Sequence, residues 1–342
     1  MSQSTERQAA VRRCSICGAP AVARIPYARL TLCPHHFMEF IERKVERVLR
    51  RVGALRSGVR ILAAVSGGKD SAAMLTALAR VAKRHGVQVI GLHLVLGFGP
   101  YSERSRKAAE EACKANKVPC IMLDIDKTLG APVHVIARRA RRPVCSVCGL
   151  IKRYVINAAA VELGADYVAM GHNADDIIAY TLKMFLNQDL AAIVKFGPAT
   201  ESIDGIAVAR LRPLYEVTEK ESLLYAIVSS TPFLHEECPF RPEVPIEERV
   251  KEFMNKVEEE HPGMKISYIR RLALNIDVYK KLAEAKGWEI QRCKSCGLLS
   301  AGSECGFCRL TRRTLGEPKG KHIRETVRRL ATAAGIPRLE NR

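Results

Sequence analysis

The chain has no run of about 18 uninterrupted apolar residues, which is what a membrane-spanning helix requires. Its opening stretch, residues 1–14, has no apolar centre and so does not read as a secretory signal. Acidic residues are in deficit: 36 Asp and Glu face 55 Lys and Arg, a formal charge of +19. There is no low-complexity linker, and no internal repeat apart from two short cysteine-rich modules. These absences argue against a membrane or secreted protein and for a cytoplasmic, reducing setting. The basic excess favours a polyanionic partner, because neutralising phosphates releases condensed counterions. In a reducing compartment the twelve cysteines read as metal or catalytic sites more readily than as disulfides.

The middle of the chain alternates apolar strands with helices. Strands are expected at 58–65, 87–96, 118–125 and 166–172. Helices are expected from about Phe37 to Val52, from the residue-70 region to His85, over Ser102–Lys117, near 133–141, over Gly149–Leu163 and from Asp175. The strands are apolar throughout rather than alternating, as when helices cover both faces of a parallel sheet. The expected fold is therefore a doubly wound parallel α/β sheet. Beyond Gly205 a strand and turn (205–216), a helix (Glu219–Ser230) and helical segments from Ile246 to Lys286 are expected. Asp204-Gly205 reads as a hairpin turn. The expected division is an N-terminal cysteine/histidine-rich module and helix (1–52), an α/β domain (53–290), a C-terminal cysteine-rich module (291–312) and a basic helical tail (313–342).

Between the first strand and its helix lies Ser66-Gly67-Gly68-Lys69-Asp70-Ser71. Two glycines let backbone N–H groups curl around an anion at a helix N-terminus. Ser66 and Ser71 offer hydroxyls, Lys69 a positive charge, and Asp70 an oxygen for Mg²⁺. The spacing is not that of a Walker A loop. Ligands of doubly wound folds lie at the C-terminal ends of the strands, where Ala64, Leu94 and Gly171 are placed to frame a nucleotide.

Cys145 and Cys148 lie in an expected loop, and Cys238 in His235-Glu236-Glu237-Cys238-Pro239. Three thiolates without an obvious fourth ligand suggest a cluster with one open position. A redox pair that carries persulfide on Cys145 or Cys148 and resolves it with Cys238 is the alternative. Cys14-x-x-Cys17 with Cys33-x-x-His36, and Cys293-x-x-Cys296 with Cys305-x-x-Cys308, form two four-ligand sets of the closed structural zinc type. His35 adjoins His36, and the spacing favours His36. Cys113 and Cys120 belong to no motif and read as passive thiols.

SGGKDS resembles the loop of the PP-loop ATP pyrophosphatases, which cleave ATP between its α and β phosphates. CSVCGLIKRYVINAAAVE (145–162), GHNADD (171–176), GLHLVLGFGPYSERS (91–105) and LHEECP (234–239) resemble the TtuA family of tRNA 2-thiouridine synthetases. The likeness extends from the first cysteine-rich module to the second. It implies that Cys145, Cys148 and Cys238 hold a [4Fe-4S] cluster whose unique iron accepts sulfide from a ubiquitin-like carrier with a C-terminal thiocarboxylate. It implies ATP contacts and catalytic roles for Lys152 and Asp176, the ribothymidine at tRNA position 54 as target, and a homodimer. The wobble-uridine thiolases share the PP-loop, GHNADD and the paired zinc sites. Lys152-Arg153 and HEECP favour the T-loop branch over them. A non-catalytic tRNA-binding protein would leave SGGKDS without purpose.

Overall fold

The computed structural model describes residues 12–243, 245–284 and 290–337. The end of the helical run expected to Lys286 and the last five residues of the basic tail lie outside these. A short antiparallel pair, β1 (Ala23–Ile25) and β2 (Leu30–Leu32), leads into α1 (Pro34–Arg51). Alternation follows through β3 (Arg60–Ala64), α2 (Lys69–Arg84), β4 (Gln88–Val95), α3 (Pro100–Ala115) and β5 (Cys120–Asp124). Three helices, α4 (Ile125–Leu129), α5 (Val133–Ala140) and α6 (Val144–Glu162), precede β6 (Tyr167–Ala169). Then come α7 (Ala174–Leu186) and β7 (Ala209–Leu211).

Every pairing in the five-stranded sheet is parallel, in the order β5-β4-β3-β6-β7. The order reverses at β3, whose neighbours are β4 and β6, so the crevice at the sheet's switch point opens beyond Ala64. Alternate residues of β3 point to opposite faces. Ile61 and Ala63 enter one core and Leu62 the other, all fully buried. This is the doubly wound architecture expected from the uniformly apolar strands, with strand ends drawn in by a few residues.

The cysteine-rich modules dock on opposite faces of the sheet. Cys14, Leu32, Cys33 and Phe37 join the core of Ile61. After β7 run α8 (Glu219–Val228), α9 (Ile246–Glu260), α10 (Met264–Leu274) and α11 (Ile276–Glu284). The second module pairs β8 (Gln291–Arg292) with β9 (Leu299–Ser300) and continues into α12 (Gly306–Leu315) and α13 (Gly320–Ala333). Cys293, Cys296, Cys305, Cys308 and Phe307 join the core of Leu62. The basic tail is helical, and its α13 buries Ile323, Val327 and Ala331 against α6 and β5. The Asp204-Gly205 turn is present, with Gly205 at φ +64° and the N–H of Ala207 donating to the Ile203 carbonyl.

One local expectation needs correction. Cys145 and Cys148 are not in a loop: they occupy the first turn of α6, which starts directly after Pro143. Proline fixes the φ of the residue before the helix, and the i, i+3 spacing then sets both thiols on one side. Helix α6 has the length and mean composition of a membrane span, although Lys152 and Arg153 interrupt its apolar run. It instead fills the core, with Val147, Ile151, Val155 and Ala158–Ala160 buried beneath α5, α13 and β6.

The first module is fixed by a buried ion pair. Lys44 of α1 donates to Glu221 Oε2 of α8 at 2.8 Å, and both side chains are almost fully buried. The Tyr27 hydroxyl donates to the same carboxylate. Glu221 also closes a capping box with Thr218. Removing one member of a buried pair strands the other charge, so Lys44→Met should cost roughly 3–5 kcal/mol. Adding Glu221→Gln, which keeps the capping oxygen, should recover most of it. Denaturant unfolding of both variants checks this.

Candidate active site

A cavity of about 380 Å³ opens at the switch point. Ala64, Ser66, Gly68, Asp70 and Ser71 line it from β3 and the start of α2, Leu94 from β4, Gly171 from the end of β6, and Lys152 from α6. Gly67, Lys69 and Asp176 stand just outside this lining. The wall also includes His93, Tyr101, Met170 and His172.

The glycine-rich loop is held by its own hydroxyls and by its neighbours. Ser71 donates to the Gly68 carbonyl (2.9 Å) and accepts from the Ser66 N–H (3.1 Å) and hydroxyl (3.0 Å). Gly67 has φ +88°, and a Cβ there would lie 2.5 Å from the Ser105 carbonyl oxygen. Only glycine combines that left-handed backbone with so close an approach. At Gly171 a Cβ would lie 3.1 Å from the Ser71 backbone, so the end of β6 presses against the first turn of α2.

The segment GHNADD ties this region together. Asn173 is fully buried and forms a capping box with Asp176 at the start of α7. Its side-chain amide donates to Asp70 Oδ1 at 3.1 Å. Asp175 accepts from the Glu219 N–H at 2.7 Å and pairs with buried Lys265. Asp176 receives Lys251 of α9 at 2.5 Å, and Lys251 also reaches Glu219 at 3.0 Å. Lys69 bridges Asp70 (2.7 Å) and Glu219 (2.6 Å). Asp70, Lys69, Glu219, Lys251 and Asp176 thus form one chain of alternating charge. Burial pushes the Asp176 carboxyl up, against the pull of Lys251. Burial also acts to raise Glu219, but Lys69 and Lys251 outweigh it and hold it at about 2. Burial, with the guanidiniums of Arg212 and Arg210, holds His172 down at about 4.

The three thiols gather beside the same cavity. Cys148 and Lys152 lie one turn apart on the same side of α6. Burial raises the Cys148 thiol, Lys152 opposes that, and the nearby sulfurs of Cys238 and Cys145 add to it. Cys145 is exposed and donates to the carbonyl of Phe240, two residues after Cys238, at 3.1 Å. Tyr101, on the cavity wall, has its hydroxyl raised by burial and by the Cys238 and Cys148 sulfurs. A backbone bond brings Cys238 here. The Leu234 N–H donates to the Gly67 carbonyl at 2.8 Å, as a parallel bridge between Leu234 and Gly68.

Each four-ligand set closes to single-ion size. The ligand atoms of Cys14, Cys17, Cys33 and His36 all lie within 4.8 Å of one another, as do those of Cys293, Cys296, Cys305 and Cys308. His36 faces the first set through Nδ1, 3.3 Å from Cys33 Sγ, while exposed His35 pairs with Glu39. Among the described residues, Cys145, Cys148 and Cys238 do not form such a single-ion group. Their wider spacing suits thiolates that ligate separate irons of a polynuclear cluster. Cys113 and Cys120 bring their sulfurs together across Gly91, where a Cβ would lie 2.8 Å from each.

Sequence reasoning missed Glu219, Lys251, His93 and Tyr101. His93 left a signal, since it is the one polar residue within the apolar run VIGLHLVL. Lys251 left none, because α9 brings it to Asp176 across 75 residues of sequence.

Parallel strands around a glycine-rich anion loop, with a nucleotide-sized cavity at the switch point, define a PP-loop protein. Residues 38–238 match the family described as the PP-loop domain. Residues 13–38 match the N-terminal LIM domain of 2-thiouridine synthetase TtuA. The chain is 37% identical over 298 residues to a tRNA-5-methyluridine(54) 2-sulfurtransferase of Pyrococcus horikoshii, covering 87% of this chain and 93% of that one. It is 35% identical to the Thermus thermophilus protein of the same name, covering 87% and 90%. A solved structure, the U34-tRNA thiolase NcsA from Methanococcus maripaludis with its [4Fe-4S] cluster, superposes with TM-score 0.72 at 25% identity, covering 89% of this chain and 96% of that one. The chain belongs to the TtuA family of PP-loop tRNA 2-thiouridine synthetases.

The charge chain sets a pH dependence. Glu219 sits at about 2 against an ordinary 4.5, so its stabilising contribution is fully present above 4.5 and is lost as pH falls toward 2. Glu219→Gln should flatten the acid limb of stability across that interval. Superimposable denaturant-midpoint profiles for the two proteins would contradict this.

Proposed function

We propose that this enzyme converts the 5-methyluridine at tRNA position 54 to its 2-thio form, using ATP to activate the uracil O2. The observation that carries the reading is a single cavity with the anion loop on one wall and Lys152, next to the thiols, on another. The N-terminal match and the higher identity to the position-54 enzymes favour this target over the wobble uridine.

ATP lies with its phosphates on the 66–71 loop, where backbone N–H groups and Lys69 face the charge. The cavity's size fits a small-molecule site. Asp70, steadied by Asn173, presents the kind of oxygen that Mg²⁺ accepts. The base, extruded from the folded T loop, reaches the cavity from the thiol side. Its O2 attacks the α-phosphate and pyrophosphate leaves. A sulfur nucleophile then attacks C2 and AMP, a better leaving group than the original oxygen, departs. Lys152 neutralises charge that grows on the departing oxygen, and Asp176, fixed by Lys251, anchors the helix that orients the nucleotide.

Cys145, Cys148 and Cys238 would hold a [4Fe-4S] cluster, which when bound supplies an iron open to exogenous sulfide. Two Zn²⁺ ions would close the four-ligand modules as structural sites. A ubiquitin-like carrier with a C-terminal thiocarboxylate is the proposed sulfur source, and a cytoplasmic homodimer the working form. The +19 charge supplies the attraction for tRNA.

Lys152→Ala should reduce thiouridine formation by roughly 100-fold or more, and Cys238→Ser should abolish it while leaving ATP binding intact. Anaerobic reconstitution with and without iron, scored by thiouridine formed, checks the cluster; full activity without iron would favour the persulfide route. Mass spectrometry of tRNA from a strain lacking the gene should show position 54 without sulfur. Undiminished 2-thioribothymidine there would refute the assignment.

A further inference from the structure

His93 is a charged-capable side chain in the centre of a buried parallel strand, 1% exposed, and it lines the cavity. Its Nδ1 lies 2.8 Å from the Val65 carbonyl oxygen. A carbonyl only accepts, so Nδ1 carries the proton and the neutral ring holds its lone pair on Nε2. That Nε2 is buried and has no hydrogen-bond partner among the described residues. An unpaired buried acceptor is costly, and its place in a ligand cavity marks it as waiting for a donor. The surroundings select which donor. His93 shares the cavity lining with Lys152; burial most of all, and then the positive charges of Lys152 and Arg106, disfavour a second proton on the ring. His93 comes from β4, whereas His172, the other cavity imidazole with an unpaired nitrogen, follows β6 in the GHNADD segment next to Asn173, which bonds Asp70.

The proposed reaction has an unmet proton requirement at this place. Uracil carries a hydrogen on N3 between its two carbonyls. When O2 bonds to phosphorus, C2 becomes doubly bonded to N3, and the neutral product has lost the N3 proton. We infer that His93 Nε2 is the base that accepts the N3 proton as the uracil O2 is adenylated. The O2–P bond forms, the bond from phosphorus to the pyrophosphate oxygen breaks, and the N3–H electron pair becomes the new C2=N3 bond. In the second half, sulfur that arrives without a proton bonds to C2, AMP leaves with its oxygen, and Nε2–H returns the proton to N3. The ring ends neutral and ready for another cycle. The same contact selects for uracil, because cytosine has no hydrogen on N3.

This inference rests on the adenylation chemistry proposed above. The test uses the anaerobically reconstituted holoenzyme, ATP, tRNA bearing unmodified-at-sulfur 5-methyluridine, and inorganic sulfide. The first reading is single-turnover pyrophosphate release against pH, with ATP affinity measured separately. The wild-type rate should fall on the acid side as Nε2 becomes protonated. His93→Asn keeps an N–H for Val65 without a base, and His93→Gln places an amide oxygen near the Nε2 position. At saturating ATP both should slow pyrophosphate release by roughly 100-fold or more and lose that acid limb. Should neither variant fold, the wild-type acid limb itself decides, since a rate that is flat with pH overturns the inference. Pyrophosphate release at the wild-type rate with the limb intact in either variant also overturns it, while leaving the functional reading standing. If the wild-type enzyme releases no pyrophosphate in response to tRNA, the functional reading falls and this inference falls with it.

Discussion

The hydrogen bond from the Leu234 N–H to the Gly67 carbonyl joins residues 167 apart in the chain and ties the segment of Cys238 to the glycine-rich loop. It makes the backbone of the anion loop also the edge onto which the third cysteine's segment is zipped. Without it, Cys238 would be carried by a proline-flanked stretch with no other main-chain tie to the loop in view. With it, the sulfur is four residues from a fixed point on the glycine-rich loop. The bond is possible because Gly67 takes a left-handed conformation and has no side chain to collide with Ser105. A single residue type thus serves two ends: it lets the loop curl for the anion, and it leaves a carbonyl free to receive Leu234.

GHNADD acts as the second organiser. Four of its residues have distinct partners. Gly171 lets β6 press on α2, and Asn173 caps α7 and steadies Asp70. Asp175 holds α8 and α10, and Asp176 holds α9 through Lys251. Most of these carboxylates are engaged by lysines from helices far along the chain. The candidate site is therefore assembled by the second half of the protein around strands supplied by the first, and the lysine-carboxylate alternation keeps the phosphate side of the cavity close to charge balance.

Much of this was legible in the sequence, and for identifiable reasons. The strands of the sheet announce themselves because both of their faces are buried and no alternation interrupts them. The two four-ligand sets are legible because short spacings fix the ligands almost by themselves. The loop at 66–71 is legible because its glycines and hydroxyls serve local geometry. The helical setting of Cys145 and Cys148 was not, since a cysteine-rich turn after Pro143 looks like a loop until α6 is seen to begin there. Lys251 and Glu219 were not, because only the packing of α8 and α9 brings them to Asp176 and Lys69. The helical character of residues 313–333 could be read, but not that α13 would be half-sunk in the core, since its basic residues mask the apolar side formed by Ile323, Val327 and Ala331.

Helix α6 runs between two chemically different ends. Its first turn carries Cys145 and Cys148, with Lys152 one turn on. A further half-turn along, Tyr154 lies flat on Phe307 of the second cysteine module, ring centres 3.9 Å apart. Gly320 closes in from the other side, so near to Cys296, Cys308 and the Tyr154 hydroxyl that even a methyl group would not fit. The helix is in effect a shared axle whose bearing is the C-terminal knuckle. The C-terminal knuckle therefore packs on the same helix that carries Cys145, Cys148 and Lys152, and a change in that packing would displace those side chains with the helix.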